Sequence, residues 1–349
     1  NKSFYFSSMN QYWKNFLLNQ KAHFESEMSI TFPTISDSSP DNTLYPLAHL
    51  AILKIAGNDA AQFLQGQITC NVNDITENQS SPGALCTPQG RAIATFLLAK
   101  TADGFLMVLP KESLDTVQNR LKRYILRAAV TLTDYSEALC LIGLVQTKTD
   151  QTKGQDHALF STSQQDNLSI HLSTSEDRLL IITEVDHAIT LWSDYVNNQG
   201  FLPTASEQWR YLDMLSGLPW LTTETSEEFI PQMLNLDQLG GISYNKGCYT
   251  GQEIVARTHY LGKAKKALCL AECISPLIPA PNSGILNSSG LTTEASTKVL
   301  MAIRSPVRTE TEENSVKMLI VLQLAEHDTY NLMLNDNHQT PVTLLTRPL

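Results

Sequence analysis

NLDQLGGISYNKGCYTGQEIVARTHYLGKAKKA, residues 235–267, is the segment on which the reading of this chain turns. Beyond Lys266 the sequence holds only short apolar runs, Ala267–Ala271, Val316–Leu324 and Val342–Thr346, with Pro, Asn and Gly between them. Runs of that length, broken by turn formers, predict a small all-β domain, sandwich or barrel. Inside the segment, Gly240, Gly241, Gly247 and Gly251 let the backbone take positive φ and approach a ligand or another strand closely. Ile242–Lys266 carries five basic residues (Lys246, Arg257, Lys263, Lys265, Lys266) against one acidic residue (Glu253), a net charge of +4. Cations in a Gly-rich loop suit an anionic ligand. Cys248 lies among them, where nearby positive charge favours the reactive thiolate. On composition alone, a solvated charged linker with a core cysteine is the competing reading.

Upstream of the segment, strands mix with helices without a regular βαβ rhythm, which indicates α+β. Leu50–Ala56 is an apolar run, and GNDAAQFLQG after it reads as a short helix stopped by Gly66. Ile93–Ala99 and Phe105–Leu109 read as strands paired across a turn at Ala102–Gly104. Lys111–Arg127 has Leu114, Val117, Leu121 and Ile125 at helical spacing. Leu139–Val145 and Leu179–Thr183 are further strands, separated by the polar stretch TKTDQTKGQDHALFSTSQQDN, an expected exposed excursion. Asp186–Asn197 and Ser206–Ser216 are expected helices. The turn-rich SDSSPDN at 36–42 sets residues 1–40 apart as a loosely ordered extension.

The chain has 349 residues and a net charge of 25 − 35 = −10, which suggests two or three domains and argues against general nucleic-acid binding, leaving only local basic patches. No apolar run approaches the roughly 20 residues of a membrane-spanning helix, and the N-terminus shows no signal-peptide core. Six cysteines without regular spacing do not form a disulfide framework, so a cytoplasmic location is expected. Neither dinucleotide nor P-loop glycine motifs occur, and no C-x-x-C or H-E-x-x-H supports a metal site. Cys269 and Cys273 read as small buried residues.

KGCYTGQE (Lys246–Glu253) resembles the signature of the YgfZ-type folate-binding proteins, relatives of the glycine-cleavage T protein (aminomethyltransferase) and dimethylglycine oxidase. FIPQMLNLDQLGGISYNKGCYTGQEIVAR (Phe229–Arg257) follows the family pattern almost continuously, and FLQGQIT (Phe63–Thr69) matches its N-terminal element. The resemblance implies an α+β clover-leaf of small modules around a central channel, ending in a β-barrel. The implied division is the extension at 1–40, a folate-binding α+β region of two intertwined modules at 41–245, and the signature loop with the barrel at 246–349. It also implies tetrahydrofolate or another folate as cofactor, with Trp209 stacking on it and Lys246, Gly247, Tyr249, Gly251, Gln252, Glu253 and Arg257 in the binding set. A core stripe of Trp209, Leu212 and Leu215 on one helix is the plainer account of that tryptophan. The family's second aromatic, at the start of the first strand, falls on His49 or Leu50 here.

The T-protein relatives carry an Asp-Asp pair where this chain reads Ala94 and Thr95, in QGRAIATFLL. Neither residue ionises at neutral pH, so aminomethyl transfer by the relatives' route is not expected. The YgfZ-type resemblance implies instead a folate-dependent factor in iron–sulfur cluster assembly or repair that supports tRNA modification, notably methylthiolation. Cys248 is then the reactive thiol, with iron–sulfur enzymes or assembly proteins as partners, a tRNA-methylthiolating enzyme among them. Neither direct nucleic-acid binding nor a membrane is expected. The alternatives are a folate-dependent one-carbon (aminomethyl) transferase or demethylase, and a non-catalytic folate-binding scaffold.

Overall fold

Asn10 starts the first helix, α1 (Gln11–Asn19), by accepting from the backbone N–H groups of Tyr12 and Trp13. This cap orients Trp13 and Leu17 inward, where both are buried. Trp13 meets Trp192 edge-on, with ring centroids 5.6 Å apart. Five further helices lie among the described residues: α2 (Ala60–Gln65), α3 (Leu114–Ile125), α4 (Val185–Asn197), α5 (Ser206–Leu215) and α6 (Gln252–Leu261). The computed structural model describes residues 9–33, 41–148, 156–174, 177–288, 296–306, 313–325 and 329–346. Parts of the expected turn at 36–42 and of the excursion after Gln146 lie outside them.

The chain divides into two compact units that interleave in sequence. One comprises Asn1–Gln65, Asn71–Pro82 and Phe96–Trp209; the other comprises Gly66–Cys70, Gly83–Thr95 and Arg210–Leu349. In the first unit a six-stranded sheet runs in the order Thr162–Ser163, Leu168–His171, Asp177–Glu184, Leu139–Gln146, Thr43–Pro46, Leu202–Pro203. Its pairs are antiparallel, except that Leu202–Pro203 runs parallel to Thr43–Pro46. α1 and α4 cover it, so the segment expected to be a loose extension is tied into this core. The reason is the apolar side of α1, which a hairpin of His23–Ser26 and Ser29–Thr31 follows, with Ile30 buried. A second sheet has the order Ser81–Cys86, Ala92–Thr101, Gly104–Pro110, Leu50–Ala56, Thr131–Asp134. The expected pairing of the strands around Ala102–Gly104 is present, from Leu97↔Val108 to Thr101↔Gly104.

In the second unit the expected C-terminal β-domain is a closed barrel. Its order is Lys266–Ile274, Ser315–Gln323, Thr297–Arg304, Gly284–Asn287, Leu332–Leu334, Pro341–Leu344. Alternate residues of these strands, among them Cys269, Ala271, Cys273, Val316, Met318, Ile320 and Leu322, fill its interior. Closure removes the open strand edges that an isolated sheet would present. Asn235 ties the signature segment to this barrel. Its amide donates to the Leu268 carbonyl at 2.9 Å and accepts from the Leu268 N–H at 3.1 Å.

Candidate functional site

The site is assembled in the second unit around Thr69, whose side chain is fully buried. Its hydroxyl donates to the Gly241 carbonyl at 2.7 Å and accepts from Ala84 N–H at 2.9 Å. Its own carbonyl accepts from Ser243 N–H at 2.8 Å. Thr69 of the FLQGQIT match therefore touches Gly241 and Ser243 of the Phe229–Arg257 match, through its side chain and through its backbone.

Lys246 reaches back into that junction. Its Nζ donates to the carbonyls of Ile68 at 2.5 Å and Cys70 at 2.8 Å and sits 4.7 Å from the centroid of the Tyr249 ring. Burial lowers the ammonium from its ordinary value to about 8, with Cys70 acting weakly in the opposite direction. The Tyr249 phenol is pushed up, first by burial. Lys246 is thus a strut of the loop, with two of its donors already engaged.

Gly251 is the other fixed point. Its φ is +87°, and a Cβ there would stand 2.6 Å from the Thr87 carbonyl oxygen and 3.0 Å from Cys86 Cβ. From it α6 departs, where sequence patterning had indicated only a cationic loop; Gln252, Glu253 and Arg257 all lie on this helix. The Gln252 side chain accepts from Tyr249 N–H at 3.2 Å, closing the turn before the helix. Glu253 and Arg257 form an exposed i,i+4 pair at 2.9 Å. Val255 is buried, and its carbonyl accepts from Gln232 Nε2 at 2.7 Å.

Gly247 has open space where a Cβ would be, and the next residue, Cys248, is exposed. The other five cysteines are buried. Burial raises the thiols of Cys140 to about 12 and of Cys269 and Cys273 to about 11. Among the described residues, no group of three or more His, Cys, Asp or Glu side chains is placed to hold a metal ion. No helix there is long and apolar enough to cross a membrane.

Ala94 and Thr95 lie in the same unit, both buried. The Thr95 hydroxyl donates to the Pro219 carbonyl at 2.6 Å and accepts from Leu221 N–H at 3.2 Å. It is committed to holding the segment after α5.

Trp209 is in the first unit, apart from the signature loop in the division of the chain. The whole residue is buried, 0% exposed. Arg178 covers its ring at 4.8 Å and Tyr45 packs at 5.3 Å between centroids. A Cβ on Gly143 would fall 2.5 Å from the ring. The stacking face expected of Trp209 is therefore occupied by the protein, while its Nε1–H is buried without a hydrogen-bond partner among the described residues. Leu50 opens the strand Leu50–Ala56 and is buried. Thr69, Gln232 and Asn235 were not singled out by sequence reasoning. The match of FLQGQIT contains the first of them, and the match of Phe229–Arg257 contains the other two.

The GCVT N-terminal domain model matches residues 41–150. A tRNA-modifying protein YgfZ from Colwellia psychrerythraea is 35% identical over 239 residues, covering 66% of this chain and 72% of that protein. Its namesake from Cronobacter sakazakii is 31% identical over 268 residues, covering 75% and 80%. Among solved structures, the glycine cleavage system aminomethyltransferase T from Bartonella henselae aligns over 98% of both chains with a TM-score of 0.74 and 13% identity. At that identity the likeness is one of fold, and it agrees with the expected α+β class ending in a barrel.

Proposed function

Because the chain belongs to the YgfZ family of tRNA-modifying proteins, we propose that it binds tetrahydrofolate and serves, in the cytoplasm, as a folate-dependent factor in iron–sulfur cluster assembly or repair, supporting tRNA methylthiolation. The observation that carries the reading is the signature loop itself. Lys246, Tyr249, Gly251 and Gln252 spend their contacts on holding one shape, and this shape leaves the Cys248 thiol exposed while the other five cysteines are buried. A loop built so rigidly around one accessible thiol suits a thiol with a chemical task. Its partners are then iron–sulfur enzymes or assembly proteins.

The fit to folate rests on Trp209. A buried N–H without an acceptor costs about 1–3 kcal/mol, and a pteridine or benzoyl-amide acceptor at that edge removes the cost. Trp209 thereby serves as an edge donor in place of the stacking platform first expected. Bound folate would supply the one-carbon chemistry; the chain's own residues bind and orient it. With Ala94 and a Thr95 hydroxyl already engaged at both bonds, the chain offers no carboxylate at the positions of the T-protein acids. This favours the non-transferase reading over aminomethyl transfer.

The test is made in cells lacking the endogenous relative, with methylthiolated tRNA nucleosides quantified by mass spectrometry. Cys248→Ser is expected to accumulate as folded protein yet leave methylthiolation at the level of the empty vector. Full complementation by Cys248→Ser would remove the thiol from the mechanism and leave the scaffold reading.

A further inference from the structure

The outer side of α6 carries features that folate binding and the Cys248 loop do not use. Tyr260 is 63% exposed and Leu261 is 82% exposed. Next to Tyr260 the rings of Tyr244 and His259 stack, centroids 3.7 Å apart and 10° from parallel. Tyr260 stands edge-on to both, at 6.2 Å and 4.7 Å. Lys263 and Lys265 follow, both exposed, and then Lys266, half-buried at the start of the barrel.

Two cations from other elements lie near Lys266. The Lys266 ammonium is held below its ordinary value by burial and then by the charges of Arg91 and Lys298, against which Glu228 acts. Arg91 comes from the turn before Ala92–Thr101, and Lys298 from the barrel strand Thr297–Arg304. That turn lies against α6, since a Cβ on Gly90 would fall 2.8 Å from Ile254 Cβ. The guanidinium of Arg91 donates to the Glu228 carbonyl at 2.5 Å. Arg257 is paired with Glu253. Among the described residues, Lys263, Lys265, Lys266 and Lys298 form no ion pair.

Clustered cations repel one another, and in a chain of net charge −10 such a cluster marks a site for a polyanion. Exposed aromatic rings beside it add flat faces on which bases stack. Phosphates and unstacked bases occur together in single-stranded nucleic acid, most commonly in RNA loops. We propose that this face of the second unit binds a single-stranded RNA segment, with phosphates on Lys263, Lys265, Lys266 and Lys298 and a base stacked on Tyr260. The choice of RNA rests on the tRNA-modifying reading above; the patch itself does not. It departs from the expectation of no direct nucleic-acid binding and concerns one of the local basic patches that the net charge leaves open.

A fluorescein-labelled tRNA anticodon stem-loop, titrated with the full chain at about 50 mM salt and followed by anisotropy, tests this. Lys263→Glu with Lys265→Glu should weaken binding at least about tenfold, without lowering the melting temperature. Tyr260→Ala should weaken the stem-loop about fivefold and a blunt duplex of equal charge by less than about twofold. The slope of log K against log salt should lie near −2 to −3, as about three or four single-strand phosphates require. Equal affinity for stem-loop, duplex and a poly-glutamate peptide overturns the proposal, as does displacement of the RNA by triglutamyl tetrahydrofolate. The same variants should bind tetrahydrofolate as the unaltered chain does. If the unaltered chain binds this RNA but no folate, the folate reading falls and the RNA site stands.

Discussion

Replacing Lys246 by Met keeps the aliphatic stem and removes the amine from two carbonyls. Each hydrogen bond from a charged donor is worth about 1.5–3 kcal/mol, and a buried carbonyl left bare costs about 1–3 kcal/mol. Against this, Lys246→Met relieves the desolvation of a partly buried ammonium, about 1–2 kcal/mol after allowance for solvent screening. The balance for the two bonds to Ile68 and Cys70 is a loss of about 1–5 kcal/mol, or roughly 2–4 °C of melting temperature per kcal/mol for a unit of this size. The pH dependence has a definite sign. Lys246 holds its proton only to about pH 8 in the folded chain, against 10.5 ordinarily, so the unfolded chain binds more protons between those values. Stability contributed by this group therefore rises as pH climbs through that window. A neutral amine still has two N–H donors, enough for both carbonyls. Urea unfolding of both proteins at pH 7 and pH 9.5 should show Lys246→Met the weaker at each, with the wider gap at pH 9.5. Equal midpoints at pH 7, or a gap that narrows with pH, would refute the strut assignment.

Other consequences are open to simpler measurements. Gly251→Ala places a Cβ 2.6 Å from the Thr87 carbonyl at a φ of +87° and should cost at least about 2 kcal/mol in chemical unfolding; an unchanged midpoint contradicts the packing described. With Cys248 exposed and five cysteines buried, one thiol per chain should react rapidly with iodoacetamide, and peptide mapping should identify it as Cys248; comparable labelling of Cys140 or Cys269 in the folded protein speaks against the loop's shape. Purified protein given tetrahydrofolate and an aminomethylated carrier should release no ammonia, and sustained turnover would show that Ala94 and Thr95 are not the decisive positions.

Much of the fold was legible because its signals are local. The strands on either side of Ala102–Gly104 and the helices near 114 and 185 follow from apolar periodicity and turn residues, and all are present. What was missed depended on partners distant in sequence. The run after Gly251 has four basic residues and looks like a solvated loop. It is a helix through Leu261 because Gly251 supplies a left-handed start and Val255 is buried beneath it. The first forty residues looked peripheral until Trp13 found Trp192, which no local pattern announces. In the candidate site, residue types drew attention to the loop, where Lys246 looked like a ligand-facing cation. Its commitment to the carbonyls of Ile68 and Cys70 comes from a contact 176 to 178 residues away in sequence. Trp209 was singled out for its aromatic face, whereas the structure leaves only its N–H unpaired.

Folate binding is the central claim, and calorimetric titration of the full chain with tetrahydrofolate tests it most directly, with Trp209→Phe beside it. The phenylalanine keeps an aromatic ring between Tyr45, Arg178 and Gly143 and removes the N–H donor together with part of the indole. The account predicts saturable binding at one site per chain and a loss of about 0.5–1.5 kcal/mol for Trp209→Phe, the worth of one hydrogen bond. No heat and no saturation with the unaltered, folded chain would contradict it.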